Sequence, residues 1–200
     1  MTRKYELKQR AESVEDTRRR IVEATSRLHL ERGPAATSIA EIARCAGVQR
    51  RTVYNHFPDD STLFAACSAH WGRQHPPPDP AGWTDLRHGL RELYAWYRET
   101  EQMTSNVLRD AQMLPSLQRI IEPGLCAYLE AVRTALAEGL GQGRPVDAAL
   151  RLVTDFHSWR SLAPLGDEEA AELAAELVEL AAGTPRRSRP RGTRARPARS

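Results

Sequence analysis

Eight consecutive residues, Gln49 to His56, carry seven side chains able to hydrogen-bond, with only Val53 interrupting them. Arg50 and Arg51 head the run. A guanidinium is a planar fork of donors, so each can bond both acceptors on the major-groove edge of a guanine. Thr52, Tyr54 and His56 offer single donors of the kind that hold phosphate oxygens, which sets position rather than sequence. Other chemistry is thin. Cys67 and His70 stand three apart on one predicted helix, but no second tight pair accompanies them and His75 enters a proline run, so no metal site is expected. No G-x-S-x-G elbow, phosphate loop or H-E-x-x-H pair occurs, so neither catalytic residues nor a cofactor are expected.

A polar run reads a partner only if a scaffold presents it. From about Glu15 to Arg32 the positions Ile21, Ala24, Thr25 and Leu28 recur at helical spacing, and Gly33-Pro34 stops the segment. Ser38 with Glu41 three residues on is a capping box, in which two side chains satisfy each other's orphan backbone donors. Gly47 suits a left-handed C-cap. A second short helix follows over about Gln49–His56, and Asp59, Asp60 or Ser61 can cap a further one reaching about Trp71. Two short helices joined at a glycine turn predict a helix-turn-helix, whose second helix enters the DNA major groove. Ile42 and Ala43 face inward, Val48 and Val53 plug the core, and the arginines lead outward.

The remainder also reads as helix, so the expected class is all-α. His75-Pro76-Pro77-Pro78-Asp79-Pro80 cannot be helical and predicts a rigid joint. Leu86, Leu90, Leu93 and Tyr97 make one helical face, Leu125 to Leu140 a second, and Val146, Leu150, Val153 and His157 a third stopping at Pro164. Asp167-Glu168-Glu169 suits the positive start of a last helix with Ala170, Leu173, Ala174, Leu177, Leu180 and Ala181 as its apolar face. The expected division is a flexible arm over 1–14, a three-helix DNA-binding head over 15–72, a helical bundle over 73–184 and a disordered Arg-rich tail over 185–200. Aromatic, sulfur and polar side chains in the bundle are candidates for a ligand pocket: Tyr94, Tyr97, Met103, Asn106, Asp110, Met113, Phe156, His157 and Trp159.

Charge follows the same division. Residues 1–60 are net +3, residues 61–184 net −7, and the last sixteen residues net +7. The tail alone therefore makes the chain basic, with a pI near 9.0, while the acidic middle is kept off DNA by its own charge. Hydrophobic residues at 40% and charged residues at 28% fit an ordinary globular protein rather than a disordered or fibrous one. No apolar stretch approaches the ~18 residues of a membrane span, and the N-terminal residues carry charge without the apolar run of a secretory leader. Three dispersed cysteines, Cys45, Cys67 and Cys126, argue against a disulfide framework and for a cytoplasmic setting. Cys45 and Cys126 are expected as small core residues.

Arg20-Ile21-Val22-Glu23-Ala24, Glu31-Arg32-Gly33, Thr37 to Ala43, Ala46-Gly47-Val48 and Thr52-Val53-Tyr54-Asn55-His56-Phe57-Pro58 stand in order over residues 17–72. This window resembles the DNA-binding domain of the TetR (tetracycline-repressor-type) transcriptional regulators. The resemblance implies base contacts from Arg50, Arg51, Tyr54 and Asn55, and phosphate contacts from Ser38, Thr52, Tyr54 and His56. It further implies a homodimer formed through the last two helices, double-stranded DNA with a palindromic operator as partner, and an unknown small-molecule effector, most often acting on a repressor. Three positions depart from the pattern: Gln49 where Ser or Thr is usual, Asp60 where Lys is usual, and His29 where Phe is usual. A sequence-tolerant DNA-coating protein and, more remotely, a helical enzyme are the competing readings.

Overall fold

The structure, a computed structural model, describes residues 2–183. The Arg-rich tail expected over 185–200 lies outside the described residues. Within them the chain is helical, with no strand.

The first helix, α1 (Thr2–Arg32), starts well before the expected point, so most of the segment read as a flexible arm is helical. Residues 2–14 are rich in Glu, Lys, Leu, Gln and Arg, which favour helix without any apolar stripe, and periodicity is blind to that. α2 (Ile39–Ala46), α3 (Arg50–His56) and α4 (Asp60–Gln74) complete the head. They close with α1 on one core, in which Ile21, Leu28, Ile42, Val53, Phe57 and Leu63 are buried.

After the proline joint come α5 (Leu86–Ala111), α6 (Pro115–Leu136), α7 (Arg144–Val153), α8 (Phe156–Leu162) and α9 (Asp167–Ala181). Their core holds Leu90, Leu93, Tyr94, Tyr97, Val132 and Trp159 against the alanine face of α9. A third small cluster of Phe64, Ala111 and Leu117 ties α4 to α5 and α6. No helix among the described residues is long and apolar enough to cross a membrane.

Three sequence readings change. The face drawn through Val146, Leu150, Val153 and His157 is broken, because Asp155 caps a new helix by accepting from the Ser158 amide at 2.8 Å; His157 consequently points to solvent. On α9 it is Ala170, Ala171, Ala174, Ala175 and Val178 that face inward, while Leu173, Leu177 and Leu180 remain exposed. Alanines let α9 approach α5 closely, and the approach is completed by charge: Arg87 pairs with Glu172 and Glu179, Arg91 with Glu168 and Arg98 with Asp167. Cys126 is exposed rather than core, whereas Cys45 packs at the edge of the head's core.

Head and bundle are joined where α1 ends. Asn106 Nδ2 donates to the His29 and Leu30 carbonyls at 3.0 and 2.9 Å, and Arg109 donates to the Arg32 carbonyl at 3.2 Å. The Leu30 and Arg32 carbonyls lie in the last turn, where a helix leaves carbonyls without amide partners, while the His29 carbonyl also accepts from the Gly33 amide at 2.9 Å. Asp110 Oδ2 accepts from the Ala35 amide at 2.9 Å, and Arg109 Nε donates to Asp110 Oδ1 at 2.7 Å. Gly33, at φ +93°, lies so close that a Cβ there would collide with Arg109 and Asp110.

Candidate nucleic-acid interface

The site begins with a cap. Ser38 Oγ accepts from the Glu41 amide at 3.3 Å, and Glu41 Oε2 accepts from the Ser38 amide at 3.1 Å, so the predicted capping box is formed. Ser38 also donates its hydroxyl proton to Glu41 at 2.8 Å. These bonds hold the Glu41 carboxyl below its ordinary range, with Arg32 at 2.5 Å adding to the effect. Gly47 then turns the chain in the left-handed region at φ 66° and ψ 39°.

α3 leaves that turn with its apolar side down. Val53 and Phe57 are four residues apart and buried. On the other side Arg50 and Tyr54, and Arg51 and Asn55, form two adjacent stripes at i, i+4 spacing. All four side chains are exposed, Tyr54 by 53%, and none hydrogen-bonds or ion-pairs with another described residue. Thr52 and His56 flank them, half-buried. Four candidate base contacts thus share one face, and Thr52 and His56 border it. Ser38 stands apart at the start of α2 with its hydroxyl engaged by Glu41.

Two arginines of α1 fix this geometry. Arg20 donates to the Ala46 carbonyl at 3.0 Å, where α2 ends, and the Arg18 guanidinium lies 5.0 Å over the Phe57 ring, where α3 ends. Sequence reasoning did not single them out as positioning residues, although their spacing from buried Ile21 places them at the rim of the core. Gln49 makes no side-chain cap for α3. Asp59 caps α4 by accepting from the Thr62 amide at 2.8 Å, which leaves Asp60 exposed in the first turn, where the helix dipole favours it.

The expected ligand pocket is dispersed. Tyr94, Tyr97, Phe156 and Trp159 are packed into the bundle core, the two phenols donating to the Val153 and Thr154 carbonyls at 2.8 and 2.7 Å. Burial pushes both phenols well above their ordinary range. Met113 and His157 are exposed, and Asn106 and Asp110 dock α5 on the end of α1. Of the nine, only Met103 lines a cavity of about 220 Å³ between α1, α4, α5 and α6. Its other walls include Ser26 and His29 of α1, Phe64, Cys67 and Trp71 of α4, and Leu117 and Ile121 of α6. His29 was the available signal, an imidazole on the apolar face of α1. Its ring is 5.8 Å from that of Phe64, and burial lowers it to about 4, opposed only in part by Asp110. Burial also pushes the Cys67 thiol up to about 12. His75 pairs with Glu99 at 2.7 Å. Among the described residues no group of three or more His, Cys, Asp or Glu side chains is arranged to hold a metal ion.

Residues 21–67, which span the head's core, match the sequence profile of the tetR family of bacterial regulatory proteins. Over 152 residues the chain is 30% identical to the HTH-type transcriptional repressor Rv3405c of Mycobacterium tuberculosis, a match covering 72% of each protein. It is 41% identical over 54 residues to the HTH-type transcriptional regulator AcrR of Shigella flexneri, covering 27% of this chain and 25% of that relative. Among solved structures it is similar to a TetR family transcription regulator from Marinobacter aquaeolei, at 24% identity and a TM-score of 0.53, over 87% of this chain and 97% of that one.

Proposed function

The chain belongs to the tetR family of bacterial regulatory proteins and is a DNA-binding transcriptional regulator, and we propose that it acts as a homodimeric repressor on a near-palindromic operator from which a small molecule releases it. The observation carrying this reading is the outer face of α3. Arg50, Arg51, Tyr54 and Asn55 stand exposed on one side of a helix whose other side is locked by Val53 and Phe57. In this reading Arg50, Arg51, Tyr54 and Asn55 touch bases, and Ser38, Thr52, Tyr54 and His56 touch phosphates. The Ser38 hydroxyl meets a phosphate by exchanging its bond to Glu41.

Dimerisation through α8 and α9 is supported by Leu173, Leu177 and Leu180, which lie at i, i+4 and i+7 and are 38%, 40% and 69% exposed. Such a stripe on a helix that already buries its alanine face calls for a second apolar surface. Two heads held by that contact would place their α3 helices about one turn of DNA apart, ~34–36 Å. An effector that prefers another spacing releases the operator by its differential affinity for the two arrangements.

A nuclease footprint on the region upstream of the chain's own gene tests the reading. Protection should fall on two half-sites separated by about one helical turn. Uniform, length-dependent protection would instead support a sequence-tolerant coating protein.

A further inference from the structure

The cavity of about 220 Å³ lies at the junction of head and bundle, and its lining states what it can hold. Its wall is mostly apolar, with Phe64, Trp71, Trp96, Met103, Leu117 and Ile121 among the lining residues. No Lys, Arg, Asp or Glu lines it, so an ionised ligand would leave water without a counter-charge at the wall. Of the polar groups present, His75 is already paired with Glu99, which is not part of the lining, at 2.7 Å, and the others are neutral. His29 titrates at about 4 and Cys67 at about 12, both because of burial, so neither carries charge near neutral pH.

One polar atom here is unsatisfied. Ser26 lines the cavity, is only 7% exposed, and its Oγ has no hydrogen-bond partner among the described residues. Buried hydroxyls are nearly always paired, since an unpaired one loses its water without replacement. A serine turns about a single side-chain torsion, so Oγ can rotate toward an occupant. For size, an apolar cavity of about 150 Å³ holds benzene. The volume here leaves room for one aromatic ring and a few further heavy atoms.

We infer that this cavity binds an uncharged, monocyclic aromatic molecule bearing one hydrogen-bonding group, with Ser26 Oγ as its polar partner. The inference rests on the reading that a small molecule controls the chain, and supplies the chemical class of that molecule. It also places a contact on α1, so the DNA-reading head itself holds the ligand rather than sensing it through the bundle alone.

Calorimetric titration of the full chain without DNA tests this, using 4-ethylphenol, ethylbenzene and 4-methylbenzoate as probes. The phenol should bind once per chain and at least about ten-fold more tightly than the carboxylate. Ser26→Ala should weaken the phenol about ten-fold, the factor of one lost hydrogen bond, while ethylbenzene changes less than two-fold. Val107→Phe, which fills the cavity from α5, should remove binding of both neutral probes with circular dichroism unchanged, and it decides the matter if Ser26→Ala does not fold. Equal or tighter binding of the carboxylate, no binding of either neutral probe, or phenol affinity unaltered by Val107→Phe would overturn the inference. Operator release is measured separately. A chain that binds 4-ethylphenol and yet keeps its operator upholds the cavity chemistry while refuting the release reading.

Discussion

In the proposed reading single residues recognise DNA, and their roles separate by what already holds them. Arg50 and Arg51 have no partner among the described residues, so their donors are available to bases, whereas Ser38 and Glu41 are tied to each other. This face was legible in the sequence, because polar residues after a glycine turn have nowhere to go but outward. The pocket was not. Periodicity identifies the buried side of a helix but not whether that side closes on a core, as at Tyr97 and Trp159, or on a cavity, as at Met103. His29 gives a residue-scale prediction. Its folded value of about 4 lies below its ordinary 6.5. Between those values the unfolded chain binds a proton that the folded chain excludes, so stability is full above about pH 6.5 and falls as pH drops toward 4. Between pH 7 and pH 4.5 the loss should be about 2 kcal/mol, read by chemical denaturation at those two values. His29→Phe should remove this contribution and leave only that of lowered carboxyls such as Glu41, and an equal pH dependence in that variant would refute the assignment.

At the scale of elements, the junction of α1 and α5 sets the head on the bundle. Asn106 and Asp110 looked like pocket groups because a buried amide and carboxylate suggest a ligand, yet their partners prove to be backbone groups at and just beyond the end of α1. No sequence signal tells a ligand's donor from a carbonyl seventy-odd residues away. Asn106→Ala should strip the side-chain donor from the Leu30 carbonyl and leave the His29 carbonyl with the Gly33 amide alone, at a cost of about 1–3 kcal/mol in thermal unfolding. Gly33→Ala should cost a similar amount from its φ of +93° alone, and more from collision with Arg109 and Asp110. A stability change below about 0.5 kcal/mol in both variants would show that the junction is not held this way. The break between α7 and α8 teaches the same lesson more locally: Asp155 as a cap outranks the apolar spacing that runs through Val153 to His157.

The whole molecule is organised by charge and by one uncovered apolar stripe. The acidic bundle is partly neutralised internally, since Arg87, Arg91 and Arg98 of α5 meet four acids of α9. The leucines that the sequence assigned to the inner face of α9 turn outward, because two alanine pairs and a valine already fit against α5 and α7. Leu177→Glu should therefore convert a dimer to a monomer in sedimentation experiments and lower operator affinity, with helical content retained. A dimer of unchanged affinity would place the interface elsewhere. The central claim is that α3 reads sequence, and the most direct test is titration of Arg50→Ala against the footprinted operator and a random duplex at matched salt. Loss of about 1–3 kcal/mol on the operator with little change on random DNA is the predicted result, whereas an equal loss on both would reduce Arg50 to a phosphate contact and contradict the account.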